Sequence, residues 1–217
     1  MADFITRGTQ ASLSSGGVAI PSTNLRQELV TDEAVARWVA EGRVWVSNNG
    51  TVDTPFTVTN AVTAIATPMW AAVIPSGAYI VPLFVEVNMI TGTTAPTNIT
   101  LVHYRNSIGA GTSTAGTDAN HNTAFGGATS GLTIYKPYTA AGTAATDPVE
   151  FYRASFGLQA VATVGGLSRI EWSYKNHIAP RVGQSGALST FQVGIGVAAA
   201  ATAYITVMYA KFNIGDN

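Results

Sequence analysis

Charge is missing from most of this chain, and that absence limits what it can fold into. Between Val44 and Val102 the only charged side chains are Asp53 and Glu86, and between Val182 and Ala210 there are none. These stretches are filled with Val, Ile, Thr, Ala and aromatic residues, cut by Gly, Pro and Asn. β-Branched and aromatic side chains suit a pleated, half-buried surface. Charged residues make up 11 % of the chain, where a soluble domain usually carries about a quarter. So much neutral, β-prone surface has to be covered by the chain's own layers or by other proteins. The expectation is a component of an assembly that works by contact.

At 217 residues the chain fits one large β domain with a core of its own. It has no Cys, so neither a disulfide framework nor a thiolate metal site is available. A net charge of −1 builds in no long-range attraction to nucleic acid or to an anionic membrane. The first residues, Met1 to Arg7, lack the basic and apolar regions of a secretory signal. Val193 to Ala210 is long enough to span a bilayer as a helix. Its β-branched and aromatic second half instead favours two strands joined near Ala198–Ala201.

Residues 1–24 read as an extended arm, with the flexible Ser12–Gly17 and with Pro21 opposing helix. Residues 25–217 read as one sandwich domain. Thr31–Glu41 is the one good helix: Thr31 caps it, Asp32 and Glu33 suit its positive end, and Gly42 stops it. Val35, Trp38 and Val39 share a face, which marks a core contact. Strands follow at Arg43–Ser47, before a turn at Asn48–Gly50, and at Pro55–Ala66 and Met69–Ile74, before a turn at Pro75–Gly77. Tyr79–Ile90 is the strongest strand. Leu83, Val85, Val87 and Met89 line one face and Phe84, Glu86 and Asn88 the other. Pro82 inside it implies an edge or a bulge. Asn98–Arg105 is expected to pair with this strand across a turn at Gly92–Pro96.

Asn106–Gly131 reads as a long loop, and loops of that length usually carry function or an interface. Leu132–Tyr138, Val149–Phe156, Val161–Val164, Leu167–Tyr174, Ser189–Val197 and Ala203–Ile214 read as further strands, with a second loop at Thr139–Asp147. The expected fold is an all-β antiparallel sandwich, with a jelly roll as the preferred topology. An immunoglobulin-like sandwich is the alternative, without its Cys–Trp–Cys spacing.

Catalytic sets are not visible. His103, His121 and His177 stand in no metal-binding spacing. Asp118 and His121 share one loop, but Asp and Asn favour turns for their own reasons. Glu150 and Glu171 are a conceivable carboxylate pair that nothing in the sequence brings together. Arg153, Arg169, Lys175 and Arg181 are too few for a nucleic-acid groove, and ion pairing with the two glutamates is the plainer reading. No nucleophile elbow or phosphate loop is present. The expectation is a protein without turnover, metal or cofactor. Trp45, Trp70, Tyr79 and Tyr209 are the candidate interface anchors, with core packing as the competing reading, since aromatics dominate β cores too.

Taken together, the neutral arm, the run Ile74-Pro-Ser-Gly77 into Tyr79-Ile-Val-Pro-Leu-Phe-Val-Glu-Val87, the Gly/Thr/Ala loops and the apolar last strand Ala203–Phe212 resemble viral and phage jelly-roll coat proteins and the decoration (cement) proteins that sit on capsids. The likeness is one of style over most of the chain and rests on no diagnostic motif. It implies a virion structural protein, made in the host cytoplasm, that forms trimers or larger homo-oligomers and contacts other capsid proteins. An arm without net charge argues against direct genome packaging, which needs many cations. The alternative is a tail or fibre module that binds a receptor or glycan through its long loops. A glycan-active enzyme is the weakest reading, for want of an acid/base pair.

Overall fold

A computed structural model of the chain describes residues 34–51, 53–58, 67–90, 97–108, 112–138, 147–156, 168–196 and 201–215. The chain divides into two compact units, residues 1–37 and 38–217. The expected arm, the helix cap at Thr31–Glu33, the turn at Gly92–Pro96, the loop at 139–146, the strand at Val161–Val164 and most of Pro55–Ala66 lie outside the described residues.

The elements, in chain order, are α1 (Ala34–Ala40), β1 (Val44–Asn49), β2 (Phe56–Val58), β3 (Trp70–Ile74), β4 (Ala78–Met89), β5 (Thr97–Tyr104), β6 (Ser113–Gly116), β7 (Ala119–Asn120), a 3-10 turn at Thr123–Phe125, β8 (Thr133–Tyr138), β9 (Val149–Phe156), β10 (Ser168–Ser173), β11 (Val182–Gln184), β12 (Ser189–Gly196) and β13 (Ala201–Asn213). The protein is an all-β sandwich. One sheet runs β10-β4-β13-β1-β7, with β11 added to β4 and β2 added to β13; the other runs β6-β8-β3-β12-β5-β9. Every pairing is antiparallel.

The eight principal strands, β1, β3, β4, β5, β9, β10, β12 and β13, pair from the outside in. The first meets the last (β1 with β13), the second the seventh (β3 with β12), the third the sixth (β4 with β10) and the fourth the fifth (β5 with β9). The chain is thus laid out as one long four-on-four hairpin. Two further pairings, β13 with β4 and β12 with β5, roll that hairpin into two sheets.

This roll corrects one sequence expectation. β5 does not pair with β4; the two lie in different sheets. Adjacent strands with a turn signal between them read as a hairpin, but here the two strands belong to opposite sheets. The turn at Pro75–Gly77, closed by Ala78 N–H donating to Pro75 O, joins β3 in one sheet to β4 in the other. A second correction concerns Asn48 and Asn49, which belong to β1 rather than to a turn. The carboxamide of Asn49 is buried and donates to Met69 O at 2.7 Å, so the core keeps a polar residue where local propensity asks for a turn.

β4 bears out the bulge. Met208 on β13 stands opposite Phe84 and Tyr209 opposite Pro82, leaving Leu83 as the extra residue. The bulge shifts the alternation by one residue. Ala78, Ile80 and Pro82 are buried before it, and Leu83, Val85, Val87 and Met89 after it. Pro82 sits in an interior strand, at the gap where pairing to β10 ends at Phe84 and pairing to β11 begins at Ile80.

Between the sheets, Ile80, Val85, Val87, Ile205, Val207 and Tyr209 meet Trp70, Ile99, Leu101, Phe191, Val193 and Ile195 in one core. Each such side chain contributes roughly 1.5–3 kcal/mol on burial. Trp70 packs edge-on against Phe191, centroids 5.7 Å apart. Helix α1 turns a half-buried stripe, Val35, Trp38 and Val39, away from solvent. Its end is a Schellman motif. Gly42 N–H donates to Val39 O and Arg43 N–H to Trp38 O, with Gly42 at φ 69°.

Candidate binding site

The stretch 106–131 is not structureless. It holds β6, β7 and the 3-10 turn, and with β8 it forms the long excursion between the fourth and fifth principal strands. β7 adds to β1, and β6 and β8 extend the other sheet beyond β3. The excursion therefore lies against the β1 edge of the sandwich. There it makes one wall of a cleft of about 630 Å³, within the range of small-ligand sites.

The floor of the cleft comes from outward positions of β1 and β13: Val46 and Asn48, and Tyr204 and Thr206. The walls are Gly50 and Thr51 on one side, and Thr117–Ala119 and Lys136 on the other. Gly50 has φ +93°, and a Cβ added there would lie 2.8 Å from the Tyr204 ring. The site therefore needs glycine twice over, for its backbone and for the ring that packs on it.

A polar cluster fixes the excursion to the core. The hydroxyls of Tyr209 and Ser130 both donate to Asp118 Oδ2. Ser130 Oγ accepts the Leu132 N–H at 3.1 Å. Trp70 Nε1 donates to Ser47 Oγ at 3.0 Å, which donates in turn to Thr117 O at 2.9 Å. Buried polar groups are thus satisfied in chains, as they must be in a low-dielectric interior. Burial pushes the Tyr209 phenol far above its ordinary range, and the Asp118 carboxylate adds to the shift. Tyr209 is therefore a fixed donor and no base, and Ser130, buried beneath it, is closed to substrate. Lys136 Nζ donates to Asn48 O across the cleft. Its pKa is lowered by burial and partly restored by the nearby Asp118 charge. These groups can bind and orient a ligand.

The residues singled out in the sequence are spread differently. Trp45, Trp70 and Tyr209 are buried in the core of the single chain, so they offer no area to a partner. Tyr79 is half-buried, stacked on Phe212 at 5.1 Å and covered by the Arg181 guanidinium at 3.7 Å. Asp118 and His121 go to different partners, with His121 N–H donating to Val44 O at 2.9 Å. Among the described residues, no three His, Cys, Asp or Glu side chains gather as metal ligands. Glu150 and Glu171 sit on strands of different sheets. Arg153 holds Glu150 at 2.7 Å, and Arg169 bridges Glu171 and Glu86 at 2.8 and 2.6 Å. That hydrogen bond from Arg153 holds the Glu150 carboxyl below its usual range. His103 is half-buried against Phe151, and His177 stacks on Trp172. Among the described residues, no helix is long and apolar enough to cross a membrane; the segment from Val193 holds the end of β12 and most of β13.

Sequence reasoning did not find Asn48, Tyr204, Thr206 or Lys136. They form no linear motif; only the outward phase of β1 and β13 marks the first three, and Lys136 lies on β8. The length of the excursion was the one available signal.

No family model, no curated protein and no solved structure matches this chain.

Proposed function

We propose that the sandwich is a jelly roll and that the protein is a structural subunit of a virion, either the coat itself or a decoration protein on it. The observation that carries this reading is the outside-in pairing of the eight principal strands, β1 with β13 through β5 with β9. A four-on-four hairpin rolled into two sheets is the wiring of double Greek-key jelly rolls, an architecture frequent in viral coats and lectins. Fold alone does not assign function, so surface chemistry has to agree. In support, the outward positions of β13 outside the cleft include the neutral Thr202 and Met208, groups fit to be covered by contact. Phe125, Val149, Ile178 and Leu188 are large apolar side chains left exposed on the chain, and buried apolar anchors carry most interface energy.

The expected state is a trimer or larger homo-oligomer that binds other shell proteins. Native mass spectrometry of the purified chain, and its copy number in purified particles, test this. Hundreds of copies per particle mean coat or decoration. A few tens, with loss of host attachment on deletion, mean a receptor-binding fibre instead. A chain that stays monomeric at high concentration and associates with no particle overturns the reading.

A further inference from the structure

We propose that the cleft on the outer face of β1 and β13 binds a neutral saccharide. This goes beyond the assembly reading, and neither depends on the other.

Three features converge on that chemistry. First, the Tyr204 ring is a half-buried aromatic surface held over Gly50, which lacks the Cβ that would strike it. A sugar ring presents an apolar C–H face that packs on such a surface, while its hydroxyls need partners around the rim. Second, the rim supplies them. Asn48, Thr51, Thr117 and Thr206 line the cleft with neutral donors and acceptors. Both hydrogen bonds to Asp118 fall on Oδ2, so Oδ1 is unused among the described residues and can accept from a vicinal diol. Oδ2 is meanwhile held in place by two hydroxyl donors, which orients the carboxylate before a ligand arrives and lowers the entropic cost of binding. Third, the charges cancel. Among the described residues, Asp118 and Lys136 are the only charged side chains lining the cleft, one of each sign. A phosphate, sulfate or sialic acid would meet the carboxylate as well as the amine, whereas a neutral polyol meets no net field.

The test uses the full-length protein and four neutral probes: maltotriose, cellotriose, lactose and N,N′,N″-triacetylchitotriose. Amide shifts are followed by ¹H–¹⁵N NMR, with sialyllactose as the anionic counterpart. The expected result is saturable shifts confined to residues 46–51, 117–119 and 204–206 for at least one neutral probe. Tyr204→Ala and Asn48→Ala should each weaken that binding about tenfold or more, a loss of ~1.4 kcal/mol. Tyr204→Phe should retain it. Asn48 is exposed, so its truncation leaves the fold intact if Tyr204→Ala does not. The proposal is overturned if no neutral probe shifts these amides at concentrations up to about 50 mM, a Kd beyond useful recognition. It is also overturned if binding survives both truncations, or if sialyllactose binds more tightly than lactose. Oligomer formation is measured separately on the same samples, so loss of one reading leaves the other standing.

Discussion

Asp118 shows how one side chain can serve the fold and the site together. Its Oδ2 accepts from two hydroxyls, Tyr209 on the last strand and Ser130 in the excursion. Tyr209→Phe removes one donor and leaves an acceptor that is still bonded, so it should cost about 1 kcal/mol. Asp118→Ala strands the Ser130 hydroxyl and leaves Tyr209 only its longer bond to Ser130 Oγ at 3.3 Å, so it should cost roughly 2–4 kcal/mol, about 1–3 for the unsatisfied donor and about 1 for the other lost bond. Urea midpoints at unchanged slope separate the two; equal losses would mean the cluster is not cooperative. His103 gives a second residue-scale expectation. Burial, aided by the Arg105 charge, lowers its pKa from the ordinary 6.5, and the face it packs against is the uncharged Phe151 ring. A base with a depressed folded pKa binds its proton more readily when unfolded. Its contribution is therefore complete above pH 6.5 and is lost as the pH falls below that value, levelling off beneath the folded pKa. His103→Gln should flatten that part of the stability–pH curve. An unchanged slope between the two proteins would assign the acid limb to other groups.

At the scale of elements, the strands were legible because their side chains alternate, and their partners were not. Val149–Phe156 matches its observed bounds, and Ser189–Val197 and Tyr79–Ile90 fall within a residue of theirs. Period two is a local property, fixed by the pleat. Pairing is not local. Asn98–Arg105 follows Tyr79–Ile90 closely in sequence, yet the core is better closed when it crosses to the other sheet and meets β12 and β9. The cleft is illegible for the same reason, because Asn48, Lys136 and Tyr204 are brought together by the roll and by the excursion. The excursion's length was readable, but not the short strands inside it, since β6 and β7 are made of Ser, Thr, Ala, Gly and Asn and hold by pairing rather than propensity. Pro82 was the exception: a residue that cannot donate to a ladder announces a break in it. The bulge at Leu83 is a register device, and a one-residue slip would turn every following side chain to the opposite face. Deleting Leu83 should remove the bulge while Met208 stays opposite Phe84 and Tyr209 opposite Pro82, so Ala78–Val81 and Val85–Met89 keep their faces, and the deletion should cost about the same ~2–5 kcal/mol as Leu83→Ala, the loss of one core side chain. Soluble yield and denaturant unfolding check this. A deletion far worse than the truncation would show that the bulge itself, and not only the Leu83 side chain, is needed.

For the whole molecule the question is how a chain with so few charges stays specific about what it touches. Ion pairs among its described residues are mostly exposed, such as Arg153 with Glu150 and Arg43 with Glu41, and exposed pairs contribute about 0–1 kcal/mol each. The large aromatics are spent on the core, so association has to draw on apolar groups that the sandwich leaves outside. Ile178 is the extreme case, 95 % exposed in the turn that follows β10 and carries His177 against Tyr152. An aliphatic side chain standing free gains nothing for the monomer, but it can bury its full area in a partner for about 1.5–3 kcal/mol. Ile178→Lys should therefore leave the thermal midpoint of the isolated chain unchanged, because surface substitutions usually stay within about 0.5 kcal/mol. The same change should weaken self-association or particle binding at least tenfold by sedimentation or native mass spectrometry, since ~1.4 kcal/mol corresponds to one decade. If association is untouched while Val149→Lys or Leu188→Lys abolishes it, the contact lies elsewhere on the surface. If none of the three changes matters, assembly does not run through these three side chains, and Phe125, Ile90 or the outer faces of the sheets must carry it.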